Sequence, residues 1–381
     1  MSFLARVLTS RWGPIVTGAI VGVLAPVLVR LGNPGNMGLC VACFSRDIAG
    51  ALGLHRAAAV QYIRPEIVGL VLGALAAALV FREFKPRTGS APLVRFLLGM
   101  LAVIGALVFL GCPWRAYLRL GGGDGNSLFG ILGLAVGIGL GILFLRRGFS
   151  LGRNRRATPA LGWVMPVLMG VLLLALVYAA PFGRDAEGAP TGPIFRSVKG
   201  PGSQHAAIWI SLVAGLLVGF LAQRSRFCTI GALRDLMLLR DPHLFNGVAA
   251  LTVAALATNL ALGQFHAGFD DQPIAHTNVL WNFAGMVLSG LAFTLGGGCP
   301  GRQLILSGEG DGDAAVFVLG MIVGSGFVHN FSAASSPSGP GAFGPAAVVM
   351  GLIACSLIGL VMREPPPPGR KPPGRWENSL H

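Results

Sequence analysis

Charge is scarce in this sequence: only 12% of its 381 residues are Asp, Glu, Lys or Arg, about half the share found in soluble globular proteins. With 53% hydrophobic residues and 57 glycines, that shortage excludes an ordinary soluble domain. It points to a chain dissolved in lipid, where small residues let helices approach closely. Acidic residues are the scarcer sign, 15 against 29 Lys and Arg, for a net charge of +14. Nucleic-acid binding does not follow, because the basic residues sit in short clusters between apolar runs, the positive-inside pattern of a bacterial membrane protein. No cofactor is implied. His55, His205, His243, His266, His276, His329 and His381 form no spaced cluster, and H-E-x-x-H is absent. No Walker A loop is present, so ATP is not the direct energy source. Gly121-Gly-Gly-Asp124 is too short for a dinucleotide site. The six cysteines lie in or beside apolar segments and form no disulfide framework. No cleavable signal peptide is expected, because the first apolar run, Trp12 to Val29, is itself long enough to span.

A membrane span needs about 20 apolar residues. Ten candidates follow: 12–31, 62–81, 93–111, 127–145, 160–180, 207–222, 244–263, 279–297, 314–330 and 343–362. The expected fold is therefore an all-α polytopic membrane protein. Segments 33–59 and 223–243 are semi-polar, contain Gly and Cys, and read as re-entrant. Irregular backbone at membrane depth is tolerated only where it is buried or lines a cavity. Basic groups at 82–95, 146–156 and the tail put both termini in the cytoplasm of a bacterial inner membrane. Two segments run against that rule: 32–64 carries Arg46, Arg56 and Arg64, and 299–313 is net acidic. Both are read as functional segments. The last residues, 363–381, are a Pro-rich basic tail expected to be disordered.

An internal repeat stands out. Cys40-Val-Ala-Cys-Phe-Ser-Arg46-Asp47 matches Cys228-Thr-Ile-Gly-Ala-Leu-Arg234-Asp235 in Cys, Arg and Asp, at an offset of 188. Gly111-Cys-Pro-Trp-Arg115, with Leu118, Gly121, Gly123 and Asp124, matches Gly298-Cys-Pro-Gly-Arg302, with Ile305, Gly308, Gly310 and Asp311, at an offset of 187. Residues 1–200 and 201–362 are thus read as two five-span repeats. An odd number of spans inverts the second copy, a recurring plan of transporters that hold substrate near the midplane.

The repeat also marks the chemistry. Pro is favoured at the first helical position, so Cys112 and Cys299 are expected to cap short helices. The free amides there favour an anion. Arg115 and Arg302 add fork-shaped cationic donors, and a thiol adds a soft, weak donor. Cys40, Cys112, Cys228 and Cys299 with Arg115 and Arg302 therefore form the candidate substrate path. Arg46-Asp47 and Arg234-Asp235 read as structural ion pairs or caps that shape the re-entrant segments. Asp124 and Asp311 are expected to cap the spans that follow them. Arg64 and Glu66 could pair with each other or with Arg46. Cys43 completes a C-x-x-C with the spacing of a redox pair, but Gly231 stands at the matching place in the second half. Cys355 reads as packing.

Arg224-Ser-Arg-Phe-Cys228-Thr-Ile-Gly-Ala-Leu-Arg-Asp235, Gly111-Cys-Pro-Trp-Arg115 and Gly297-Gly-Cys-Pro-Gly-Arg302 resemble the YeeE/YedE family of thiosulfate-permease-like sulfur transport proteins. The stretch from Asn36-Met-Gly-Leu-Cys to Ala51-Leu-Gly-Leu-His55 resembles its selenium-metabolism branch. The resemblance implies an hourglass-like inverted-repeat fold and passage of thiosulfate along Cys112, Cys228 and Cys299, with Cys40 the mate of Cys228. The Cys40/Cys43 pair departs from the family pattern and leaves a selenium-containing anion open as substrate. Two alternatives stand beside transport: a membrane thiol-disulfide oxidoreductase using Cys40 and Cys43, and a subunit delivering sulfur or selenium to a soluble carrier protein. The expected partners are a small sulfur or selenium anion and the lipid bilayer.

Overall fold

In the computed structural model, which describes residues 7–183 and 192–364, the chain is mostly helical with almost no sheet. The tail from Pro365, and the disorder expected of it, lies outside the described residues. The helices in order are α1 (Gly13–Arg30), α2 (Val41–Ala51), α3 (Pro65–Val80), α4 (Pro92–Phe109), α5 (Pro113–Gly121), α6 (Asn126–Arg146), α7 (Pro159–Tyr178), α8 (Ile208–Ser225), α9 (Thr229–Leu239), α10 (His243–Ala261), α11 (Val279–Gly296), α12 (Pro300–Gly308), α13 (Gly312–Asn330) and α14 (Gly344–Val361). Two two-residue strands, β1 (Arg87–Thr88) and β2 (Arg155–Arg156), pair antiparallel.

All ten expected spans are helices. Among the described residues nine helical segments are long and apolar enough to cross a membrane, and α3 is a shorter apolar helix of 16 residues. The chain is a multi-pass membrane protein. Leu128, Leu132, Val136, Leu140 and Leu143 make an exposed apolar stripe along α6, a surface that suits lipid rather than water. Helix starts follow from proline: it stands at the first or second position of α1, α3, α4, α5, α7, α12 and α14. Its missing N–H would be unpaired there anyway.

The packing is paired. α1 lies along α10 and α3 along α8; α6 lies along α11 and α13 along α4, while α4 also packs on α11. Close approach needs glycine at α3/α8. A Cβ at Gly215 would sit 2.5 Å from the Glu66 carbonyl oxygen, and one at Gly69 would sit 2.6 Å from that of Leu212. Small residues four apart on facing helices are the membrane solution to this packing.

Buried charged side chains inside the bundle find partners, as burial demands. Asp47 holds Arg46 and Arg64 at 2.7 Å each. Arg64 therefore joins Asp47 rather than Glu66 or Arg46, and Glu66 instead accepts from Asn33 and Ser211, each at 2.8 Å. Arg119 donates to Asp124 at 2.6 Å and to the Phe109 carbonyl. Asp311 caps α13 as expected. Asp124 lies one residue outside the cap of α6, which is Gly125; its carboxylate accepts the Asn126 amide and holds Arg119, because that guanidinium is otherwise uncompensated.

Candidate functional site

Each of the four short helices opens on one of the four repeat-related cysteines. Cys40, Cys112, Cys228 and Cys299 are the N-caps of α2, α5, α9 and α12, all with extended backbone. An extended residue before a helix leaves its side chain beside the first free amides. Three of the sulfurs accept such amides: Cys40 from Cys43 at 3.4 Å, Cys228 from Gly231 at 3.3 Å and Cys299 from Arg302 at 3.3 Å.

The thiols meet in two pairs. Cys40 Sγ lies 3.8 Å from Cys112 Sγ, and the Cys299 amide donates to Cys228 Sγ at 3.4 Å. All are buried free thiols. The pairs are joined through α5 and α12. Trp114, two residues after Cys112, packs edge-on against Phe227, just before Cys228, with ring centroids 5.6 Å apart. The same indole lies over Gly301, two residues after Cys299, where a Cβ would come within 2.5 Å of the ring. The two Cys-Pro helix starts therefore converge on one tryptophan.

The arginines expected beside the thiols are present but engaged. Arg115 is fully buried; it donates to the carbonyls of Asn36 at 2.8 Å, Ile274 at 3.0 Å and Leu110, and it reaches Cys43 Sγ at 3.6 Å. It fixes the loop over the first pair while lending charge to Cys43. Arg302 is tied to Glu309 at 3.3 Å. Glu309 also takes Arg226 at 3.1 Å, and Arg226 in turn reaches Glu83, which Arg224 holds at 2.8 Å. Each acid of segment 299–313 meets an arginine: Glu309 takes Arg226 and Arg302, Asp311 takes Arg87 at 2.6 Å and Asp313 lies 3.9 Å from Arg95. Burial pushes the Glu83 carboxyl up, but hydrogen bonds from Gln223 and Arg224 and the charge of Arg226 outweigh it, leaving it below its ordinary value.

A cleft of about 240 Å³, lined in part by Gly35, Asn36, Leu118 and Pro273, opens beside the Arg115 loop. Another of about 410 Å³ is lined by Arg224, Ser225, Arg226, Asp235 and His243, next to the short turn leading to Cys228. Arg46 and Asp47 sit buried on α2, the helix that Cys40 caps and that carries Cys43, and Asp47 also holds Arg64, the N-cap of α3. Their counterparts Arg234 and Asp235 pair at 2.8 Å but are 33% and 20% exposed. They belong to the surface of α9 rather than to the thiol path. Among the described residues no group of His, Cys, Asp and Glu could hold a metal. Sequence reasoning gave no role to Trp114, Phe227, Glu83 or Glu309. Trp114 was legible only as the bulky mate of Gly301 within the Cys-Pro repeat.

Two pairs of buried thiols at helix N-termini offer soft donors to sulfur and backbone amides to oxygen, with little fixed charge left over. The chain is 33% identical over 103 residues to the thiosulfate transporter TsuA of Spirochaeta thermophila, a match covering 27% of this chain and 31% of that protein. It thus spans less than a third of that relative's length. A family model described as sulphur transport matches residues 1–114 and 224–362, a range that includes all four repeat cysteines, and the chain belongs to the sulphur transport family.

Proposed function

We propose that this protein is a bacterial inner-membrane transporter that passes a small sulfur anion of the thiosulfate type between two thiol pairs. The observation that carries the reading is the placing of Cys40, Cys112, Cys228 and Cys299 at four helix N-caps, paired at hydrogen-bonding range. A protonated thiol donates weakly to a soft acceptor, and a helix N-terminus welcomes negative charge. The anion enters near Cys112 and Arg115, is handed across the waist, and leaves past Cys228 and Cys299 toward the arginines that Glu83 and Glu309 hold.

The two repeats, 1–200 and 201–362, run in opposite senses with both termini in the cytoplasm. The pairing of α1 with α10 and of α8 with α3, each the other's counterpart, supports that arrangement. A selenium analogue such as selenosulfate fits the same donors, because its terminal atom is soft as well. Burial of Cys40 and Cys43, 1% and 0% exposed, leaves no face for a soluble thiol partner and favours transport over disulfide exchange.

The test is uptake of labelled thiosulfate and selenosulfate into cells lacking their own transporters. Cys112→Ala is expected to abolish uptake with the protein still folded, and Cys43→Ala to retain it. Uptake preserved in folded Cys112→Ala would sink the relay, and disulfide exchange dependent on Cys43 without any uptake would sink transport.

A further inference from the structure

Several buried polar atoms lack a partner, among them Thr229 Oγ1 beside Cys228, and the one that also lies against the other half's Cys-Pro helix start is on Trp114. Its side chain is fully buried, and its indole N–H has no hydrogen-bond partner. Buried donors are nearly always paired, so an orphan calls for an explanation. This one does not point into inert packing. A Cβ at Gly301 would lie 3.1 Å from Nε1, so the N–H sits against the first turn of α12, whose cap is Cys299. Gly301 stands at the second helical position, where an amide has no intrahelical acceptor. An unpaired indole N–H and the free start of a helix thus share one small volume between the two thiol pairs.

From this juxtaposition we infer that Trp114 is a substrate-positioning residue at the waist, its indole N–H donating to an oxygen of the anion while the sulfur end passes between thiols. The inference rests on the transport reading and names the group that receives the oxygen end of the same substrate. Other strong donors near the waist are committed: Arg115 to three backbone carbonyls, Arg302 to Glu309. A neutral donor also suits passage better than a free guanidinium, since a site must hold an ion firmly enough to admit it and weakly enough to release it. The ring has a second effect. Trp114 and Gly301 occupy matching places in the two halves, and the absence of a side chain at Gly301 is what lets the indole lie across the path. A substrate with one soft end and an oxygen-bearing end fits thiols on one side and an N–H on the other. Sulfate, with oxygens alone, offers the thiols no soft atom to match.

The experiment uses the full-length protein in proteoliposomes with labelled thiosulfate, comparing wild type, Trp114→Phe, Trp114→Tyr and Cys112→Ala. In parallel, protein labelled with 15N-tryptophan is titrated with thiosulfate, and the Trp114 indole signal is assigned by its loss in either folded Trp114 variant. Trp114→Phe removes the N–H and keeps an aromatic ring. It is expected to lower uptake at least about tenfold, the worth of one hydrogen bond to a charged acceptor, with the protein still folded, since the lost orphan donor offsets part of the cost of the smaller ring. The indole signal is expected to shift on thiosulfate addition and to stay fixed with sulfate. Full uptake in folded Trp114→Phe, or an indole signal indifferent to thiosulfate while wild type transports it, overturns the inference and leaves the thiol path standing. Absence of uptake by wild type, with a silent indole, brings down both.

Discussion

Replacing Asp47 by Ala strips the single counter-charge from two buried guanidiniums. Asp47 is wholly buried and lies 2.7 Å from both Arg46 and Arg64, themselves buried. Arg64 would keep the carbonyls of Pro201 and Gln204, and the Phe44 ring 4.6 Å away, but neither arginine would keep an anion. Breaking a buried ion pair by removing one partner costs about 3–5 kcal/mol, and the cost here belongs at the upper end because two cations are stranded. The repeat supplies the control. Asp235 occupies the matching place and pairs with Arg234 at 2.8 Å, but both are partly exposed; such surface pairs are worth roughly 0–1 kcal/mol. Thermal unfolding of purified Asp47→Ala and Asp235→Ala in detergent is expected to show a large loss for the first and almost none for the second. Equal losses, or a stable Asp47→Ala, would refute the view that burial rather than pairing sets the worth of these two ion pairs.

Two further outcomes follow from packing and charge. Gly215→Ala is expected to destabilise by about 1–3 kcal/mol, because the new methyl would press on the Glu66 carbonyl oxygen at 2.5 Å. Gly139→Ala in α6, which has nothing within 4 Å, is expected to be neutral or stabilising by roughly 0.5–1 kcal/mol from helix propensity; thermal unfolding of both variants reads the difference. Since the Glu83 carboxyl is held below its ordinary value by Gln223, Arg224 and Arg226 against the opposing effect of burial, its contribution is present above the usual carboxylate range and is lost as pH falls through the lowered value. Glu83→Gln is expected to flatten the acid limb of the stability–pH curve; an unchanged limb would mean that Arg226 and Arg224 do not need this carboxylate.

Much of this protein was legible along the chain. The ten spans, the proline-led helix starts, the cysteine caps of α5 and α12, and the Asp311 cap all depend on residues within a few positions of one another. A span expected at 93–111 appears as Pro92–Phe109 because apolar length and a first-turn proline are local properties. The Cys, Arg and Asp spacing likewise marked which residues the two halves share, and Arg46-Asp47 is the ion pair that adjacency suggested. Tertiary structure alone decided which side chains meet from different elements, within each half and across them. Arg64 finds Asp47 seventeen residues away, Arg226 finds Glu309, and Trp114 finds Gly301 and Phe227. These partners are chosen by how the helices pack in the assembled bundle, and that packing sums many small contacts that no short stretch encodes. It also settled that Arg115 and Arg302 spend their donors on carbonyls and a carboxylate, since a buried guanidinium takes whatever acceptors the assembled bundle brings within reach.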